Sequence, residues 1–153
     1  MLAVLGPTAS GKSALGLALA ERHNGEIVNC DSTAVYRGFD IGTDKLSSEE
    51  QRGIPHHLID IAEPTEVYTA ARFARDAERA IRDIHARGKL PILVGGTGFY
   101  YRALVRGLFP GPAANDEMRL RLDRIAGRRG PERLHRLLSR VDPNSAGRIM
   151  NGE

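Results

Sequence analysis

The chain has 153 residues, enough for a domain with a hydrophobic core, and its 41% hydrophobic and 27% charged residues are typical of a globular protein. No apolar run approaches the ~18–20 residues of a membrane span, and the single cysteine, Cys30, excludes an internal disulfide and favours a reducing compartment. The net charge of +3 lies entirely in residues 111–153, because acidic and basic residues balance in residues 1–110. We expect a cytoplasmic monomer without a membrane partner.

A phosphate-binding loop follows the first predicted strand, Leu2–Leu5, which lacks the basic residues of a secretory signal. The loop has the spacing G-x-x-x-x-G-K-[ST] of nucleotide-binding proteins and consists of Gly6, Pro7, Thr8, Ala9, Ser10, Gly11, Lys12 and Ser13. Backbone N–H groups of such a loop converge on phosphate oxygens, Lys12 adds a positive charge, and Ser13 is placed to ligate Mg²⁺. A helix predicted over residues 13–23 directs its N-terminal dipole at the loop. The sequence therefore predicts a bound phosphate or diphosphate.

Asp31 follows the second predicted strand, residues 26–30. A carboxylate in this place can bind Mg²⁺ through water, accept a proton from a nucleophile beside the phosphates, or cap a turn. A loop-rich stretch, residues 32–55, comes next, with Gly38, Gly42, Gly53 and Pro55 as turn signals. A third short strand is predicted over residues 57–61 and contains Asp60.

A helix over residues 69–87, a buried strand over residues 90–94 and a helix that ends at Gly107 complete the alternating pattern. Strands that alternate with helices predict an α/β fold, a phosphate-loop NTPase-like parallel sheet with flanking helices. Ligands bind such sheets beyond the carboxyl ends of the strands, where the phosphate loop, Asp31, Asp60 and Gly95-Gly96-Thr97 are expected. Thr97 contacts a substrate there or serves as an ordinary helix N-cap.

Two other types of site are disfavoured. An ATPase or kinase of this class carries an apolar strand that ends in Asp, whereas the best apolar strand here ends in Gly-Gly-Thr. His56 and His57 are adjacent in a strand and point to opposite faces, so a zinc site is not expected. The aromatic residues Tyr36, Phe99, Tyr100 and Tyr101 either wall an apolar pocket, stack a base or pack in the core.

Residues 111–153 differ from residues 1–110 and predict a second, helical unit. Asn115 is a candidate cap for one helix, Pro131 begins a second, and a third short helix follows Asp142-Pro143. The basic residues of this unit are arginines. They form either a solvated helix face or a surface for a polyanion.

Taken in order, these motifs resemble those of the tRNA dimethylallyltransferases. Four blocks carry the resemblance, namely residues 6–13 (GPTASGKS), residues 31–36 with 40–43 (DSTAVY and DIGT), residues 53–60 (GIPHHLID), and residues 94–97 (VGGT) with Tyr100. The first block occurs in many phosphate-binding proteins, whereas the second and third in this order are specific to this family and its near relatives.

The resemblance implies transfer of a dimethylallyl group from dimethylallyl diphosphate to N6 of the adenosine beside the anticodon of a tRNA. Residues 6–13 then bind the diphosphate, which Lys12 and a Mg²⁺ ion on Ser13 stabilise as it leaves. Asp31 is the implied base, and Thr97 and Lys12 join it as catalytic residues. The tRNA contacts implied by the resemblance are Asp31, Ser32, Thr33, Ala34, Thr97 and Arg119.

Members of that family are longer, and their later segments supply more of the sheet, further tRNA contacts and an arginine that contacts the diphosphate. We therefore expect residues 1–110 to be a partial α/β core and residues 111–153 to be the start of an arginine-rich tRNA-binding insertion, so that the fold is incomplete at the C-terminus. Three other functions are consistent with the motifs: a prenyltransferase acting on free adenine nucleotides, a small-molecule or nucleotide kinase, and a non-catalytic RNA-binding fragment.

Overall fold

The structure, a computed structural model, describes residues 1–41, 45–108 and 115–150. The chain divides into two compact units, Met1–Phe109 and Pro110–Glu153. The first unit contains β1 (Leu2–Leu5), α1 (Lys12–His23), β2 (Gly25–Asn29), β3 (His56–His57), α2 (Ala70–Ala86), β4 (Leu90–Gly95) and α3 (Gly98–Arg106). The second contains α4 (Asp116–Arg129), α5 (Pro131–Val141) and α6 (Pro143–Met150). The predicted loop residue Gly42 and the linker 110–112 lie outside the described residues.

The four strands form one parallel sheet in the order β1-β4-β2-β3. In this register Ile27 of β2 lies between Ile92 of β4 and His56 of β3. Parallel strands need crossover connections, which α1 supplies between β1 and β2 and α2 supplies between β3 and β4. The predicted parallel α/β architecture with flanking helices is confirmed, and the topology brings the carboxyl ends of all four strands to one edge of the sheet.

Successive residues of β2 and β4 face opposite sides of the sheet and build two cores. On one side Ile27, Ile92 and Val94 pack with Leu17 and Ala20 of α1. On the other side the buried cluster belongs to β2, β4, α2 and α3 and includes Val28, Leu93, Phe73, Ile84, Tyr100 and Ala103. Helices therefore cover both faces of the two central strands, as parallel sheets require.

Local signals set the helix boundaries. Thr69 is the N-cap of α2, and its side chain accepts a hydrogen bond of 3.2 Å from the N–H of Arg72. In the second unit Asn115 caps α4 by accepting from the N–H of Met118 at 2.8 Å, and Pro131 begins α5. The helices predicted over residues 69–87 and after Asn115, Pro131 and Asp142 are confirmed.

The third predicted strand is wrong in its extent. β3 contains only His56 and His57, and Asp60 lies in a turn beyond it. Leu58 and Asp60 have φ angles of 64° and 54°, in the left-handed region, which ends the strand. The turn is held by the N–H of Asp60, which donates to the carbonyl of Ala34 at 3.2 Å, a contact that the local sequence does not reveal.

Candidate active site

A cavity of about 530 Å³ opens at the carboxyl edge of the sheet. Polar residues from the phosphate loop, from the segment after β2 and from the segment after β4 line it together with apolar side chains. The lining residues are Pro7, Thr8, Lys12, Ser13, Ile27, Asn29, Asp31, Ser32, Thr33, Ala34, Lys45, Leu46, His56, Ile59, Val94, Gly95, Gly96 and Thr97. This volume and mixed lining are typical of a small-molecule site.

The phosphate loop ends at the N-terminus of α1. Gly11 is the N-cap with φ 78°, a left-handed conformation that favours glycine, and no side chain caps the helix. The first N–H groups of α1 are therefore available to an anion, and the helix dipole favours negative charge there. Lys12 Nζ donates to the carbonyl oxygen of Pro7 at 3.2 Å, so the lysine lies over the loop.

Asp31 lines the cavity with one of its two carboxylate oxygens already bonded. Oδ1 accepts a hydrogen bond from the Thr33 N–H at 2.9 Å and another from the Thr33 hydroxyl at 2.7 Å. No group in the described part of the chain bonds to Oδ2. Asp31 thus caps a turn, as one of the three interpretations had it. It also offers a carboxylate oxygen at the cavity, which is compatible with a proton acceptor.

Thr97 does not use its side chain to cap α3, although it occupies the N-cap position. Its Oγ1 accepts from the N–H of Ser32 at 3.0 Å and donates to the Ser32 hydroxyl at 3.3 Å. Its backbone N–H donates to the carbonyl of Cys30 at 3.1 Å. Thr97 therefore ties the segment after β4 to the backbone on either side of Asp31.

The sequence analysis missed several residues of this cavity. Asn29 of β2 is buried, and its Nδ2 donates to the carbonyls of Asp31 at 3.3 Å and Leu58 at 3.0 Å. Lys45, whose side chain is only 6% exposed, donates to the Tyr36 carbonyl, to Asp40 and to Asp60 at 2.6, 3.1 and 2.6 Å. Burial alone would lower the pKa of Lys45, but the bonds to these carboxylates raise it. Alternate residues of a strand share a face, so β2 places Asn29 on the same face as Ile27. This alternation is the only sequence signal for the residues that the sequence analysis missed.

His56 also lines the cavity. Its Nδ1 lies 2.8 Å from the carbonyl of Ile54, and burial lowers the pKa of the ring. A carbonyl can only accept, so Nδ1 carries the proton. Nε2 is buried without a hydrogen-bond partner among the described residues. Cys30, behind Asp31, is fully buried, and burial raises the pKa of its thiol to about 12, so it is not a nucleophile at neutral pH.

The predicted site residues come together in part. From the phosphate loop, Pro7, Thr8, Lys12 and Ser13 line this cavity with Asp31, Ser32, Thr33, Ala34 and Thr97. Ala9 and Gly11 instead line a second cavity of about 480 Å³, which Lys12 and Ser13 also border. Gly6 and Ser10 line neither of these two cavities. Arg119 belongs to the second unit.

A magnesium ion fits this cavity only as a partner of a bound phosphate. No group of three His, Cys, Asp or Glu side chains in the described residues could hold a metal by itself. Mg²⁺ in phosphate sites takes one or two protein ligands and completes its shell with water and phosphate oxygens. Ser13 lines this cavity and matches that limited donor set.

Among the described residues, the arginines of α4 and α5 form no ion pair with an acidic side chain. Every ion pair found among the described residues lies between residues 21 and 89. Arg121, Arg124 and Arg128 share one face of α4, and Arg133, Arg136 and Arg140 share one face of α5, each at spacings of three and four residues. Such rows of unpaired cations are typical of a surface that binds a polyanion.

Fold and cavity together define an α/β protein with a small-molecule-sized cavity, partly lined by the phosphate-loop sequence, at the carboxyl edge of a parallel sheet. A family model described as IPP transferase matches residues 34–153. The chain belongs to this family.

Curated relatives carry the same assignment. A tRNA dimethylallyltransferase of Solibacter usitatus is 59% identical over 149 residues, and one of Koribacter versatilis is 56% identical over 149 residues. Each alignment covers 97% of this chain and 48% of the relative. The chain thus spans about half the length of the curated relatives it matches. No helix among the described residues is long and apolar enough to cross a membrane.

Solved structures agree in fold. The full-length tRNA isopentenylpyrophosphate transferase of Bacillus halodurans is 45% identical with a TM-score of 0.70, and the match covers 95% of this chain and 48% of that one. A eukaryotic dimethylallyltransferase described as acting on tRNA is 36% identical with a TM-score of 0.78, over 95% of this chain and 36% of that one.

Proposed function

We propose that this protein transfers a dimethylallyl group from dimethylallyl diphosphate to N6 of the adenosine beside the anticodon of a tRNA. The observation that carries the proposal is the composition of the larger cavity. It combines residues of a phosphate loop with a carboxylate, Asp31, and with the apolar residues Ile27, Leu46, Ile59 and Val94. A diphosphate and a short hydrocarbon chain need polar and apolar lining in one cavity. The names of the relatives support the same reaction.

In this reaction the N6 nitrogen attacks C1 of the allylic chain, so that an N–C bond forms while the C1–O bond breaks. The electron pair of the broken bond leaves with the diphosphate. The loop N–H groups and Lys12 stabilise that growing charge, as oxyanion-type sites do. Ser13 would hold a Mg²⁺ ion, which would supply further neutralisation of the diphosphate charge. Asp31 takes the N6 proton on Oδ2, the oxygen that has no hydrogen bond among the described residues.

The direct test follows labelled dimethylallyl diphosphate into unmodified tRNA. It uses this 153-residue chain beside the protein extended through the segment that its relatives carry beyond the matched half. Asp31→Asn keeps the shape of the side chain and removes the base, so we expect turnover to fall by about 10²–10⁴-fold. Binding of the diphosphate should survive, since Asp31 is not part of the loop. Full activity of Asp31→Asn contradicts the role of this residue.

The same assay separates the alternatives. Prenylation of AMP in competition with tRNA would identify an enzyme of free adenine nucleotides. Phosphoryl transfer from ATP to a hydroxyl, with no use of the allylic diphosphate, would identify a kinase. Binding of tRNA without turnover in either length of the protein would leave an RNA-binding role alone.

A further inference from the structure

We propose that Thr33 is a positioning residue for Asp31 rather than a contact to tRNA. The inference rests on the proposed function, in which Asp31 is the base. Thr33 was assigned to tRNA by resemblance, but its hydroxyl and its backbone N–H both bond to one oxygen of Asp31.

Both hydrogen bonds from Thr33 go to Oδ1 of Asp31, and none goes to Oδ2. The two bonds from Thr33, 2.7 Å from Oγ1 and 2.9 Å from N, occupy the lone pairs of Oδ1 on that side of the carboxylate. The hydroxyl bond has the short length of a charge-assisted bond. It fixes the rotation of the carboxylate, because an O–H donor two residues away holds one oxygen in place. Oδ2 then remains the one oxygen of Asp31 ready to receive the proton.

The backbone on which this pair stands is held from the other side. Thr97 Oγ1 accepts from the Ser32 N–H at 3.0 Å, and the Thr97 N–H bonds to the carbonyl of Cys30 at 3.1 Å. Cys30 in turn donates its N–H to Val94 of β4 at 2.8 Å. Cys30 and Ser32, the neighbours of Asp31, are thus bonded to β4 and to the segment after it. The rotation of the Asp31 side chain is the remaining freedom, and the bonds from Thr33 restrict it.

A catalytic group that is misplaced by about 1 Å can lose on the order of 10²-fold in rate, so the loss of one such bond is measurable. Thr33→Val removes the hydroxyl and keeps the shape, and Thr33→Ser keeps the hydroxyl. Thr33 is exposed, so neither change disturbs the core. Thr65→Val is the matched control, because Thr65 is also exposed and does not line the cavity.

We expect Thr33→Val to lower kcat of prenyl transfer by about 10-fold or more with KM for tRNA and for the diphosphate unchanged. Thr33→Ser should restore most of kcat, and Thr65→Val should match the parent protein. A raised KM for tRNA with unchanged kcat would assign Thr33 to tRNA and overturn the inference. A kcat equal to that of the parent would overturn it as well.

A second measurement does not depend on turnover. Amide hydrogen exchange at Thr33 reports its N–H bond to Asp31, and exchange should speed up in Asp31→Ala and, to a smaller degree, in Thr33→Val. Unchanged exchange in both variants would overturn the Thr33–Asp31 interaction even if the enzyme is active. If exchange is faster in these variants but the parent protein shows no prenyl transfer, the Thr33–Asp31 interaction is supported and the proposed function is not.

Discussion

Glu26 is the most heavily paired carboxylate of the molecule's described part, and it lies at the amino end of β2, away from the cavity. Its side chain is 3% exposed and bonds to Arg87 and His57 at 2.6 Å each and to Lys89 at 2.9 Å. Burial alone would raise the pKa of Glu26, but these three partners outweigh it and lower the pKa from 4.5 to about 2. The ionised carboxylate therefore stabilises the fold.

Glu26→Gln should destabilise the protein by about 2 kcal/mol, since three donors lose their anion at a buried position. Because the pKa is lowered in the folded state, the stabilisation is complete above pH 4.5 and is lost as the pH falls towards 2. The parent should lose stability between pH 4.5 and pH 2, and Glu26→Gln should lose less there. Urea denaturation followed by circular dichroism measures both effects.

Glu78→Gln is the control for this experiment. Glu78 pairs with Arg82 at 3.8 Å one helical turn away, and both side chains are more than 60% exposed. Exposed pairs of this kind contribute about 0–0.5 kcal/mol. Equal losses in Glu78→Gln and Glu26→Gln would show that the buried position of Glu26 has no special weight.

The close approach of β4 to the residue after β2 explains why position 95 is a glycine. Gly95 ends β4, and a Cβ built there would lie 2.2 Å from the carbonyl oxygen of Cys30 beside β2. Gly95→Ala must push β2 and β4 apart, at a cost of about 3 kcal/mol. Gly98→Ala is the control, because its Cβ would meet nothing within 4 Å and alanine favours a helix. The midpoints of urea denaturation for the two variants should differ in opposite directions from the parent, and a Gly95→Ala midpoint equal to that of the parent would exclude this contact.

Elements with strong local signals could be predicted from the sequence. Apolar residues at helical spacing and the cap Thr69 located α2, and Asn115 and Pro131 located α4 and α5. The end of β3 could not be predicted, because it depends on the left-handed backbone of Leu58 and Asp60. Hydrogen bonds with the distant residues Ala34 and Lys45 hold Asp60 in place. Such tertiary bonds leave no periodic pattern in the chain.

The candidate site divides in the same way. The phosphate loop, Asp31 and Thr97 follow strands directly, so topology alone predicted that they meet. Lys45 and His56 reach the same cavity from a loop and from an edge strand. Lys45 belongs to none of the motif blocks, and the block of residues 53–60 does not by itself indicate that His56 lines a cavity. The place of both residues depends on how loop segments pack. The bond between Thr33 and Asp31 had a local signal, since Asp followed two residues later by Thr is a common turn.

At the scale of the whole molecule, charge is divided between the two units. The arginine faces of α4 and α5 form no ion pairs among the described residues. The described residues of the first unit, in contrast, form several ion pairs. If the second unit contacts the phosphates of tRNA, each contact releases counterions and adds to the salt dependence of binding. Phosphate contacts of this kind position the RNA without reading its sequence.

The triple variant Arg121→Ala, Arg124→Ala and Arg128→Ala should therefore weaken tRNA binding and reduce the slope of log K against log salt by about 2–3. A comparison triple exists on α2, where Arg75, Arg79 and Arg82 are exposed at helical spacing and carry the same total charge, with Arg82 in an exposed pair with Glu78 at 3.8 Å. That second triple should leave the slope nearly unchanged. Filter binding at several salt concentrations gives both slopes. Equal reductions in the two triples would mean that net charge alone attracts the RNA, and would contradict a specific arginine surface on α4.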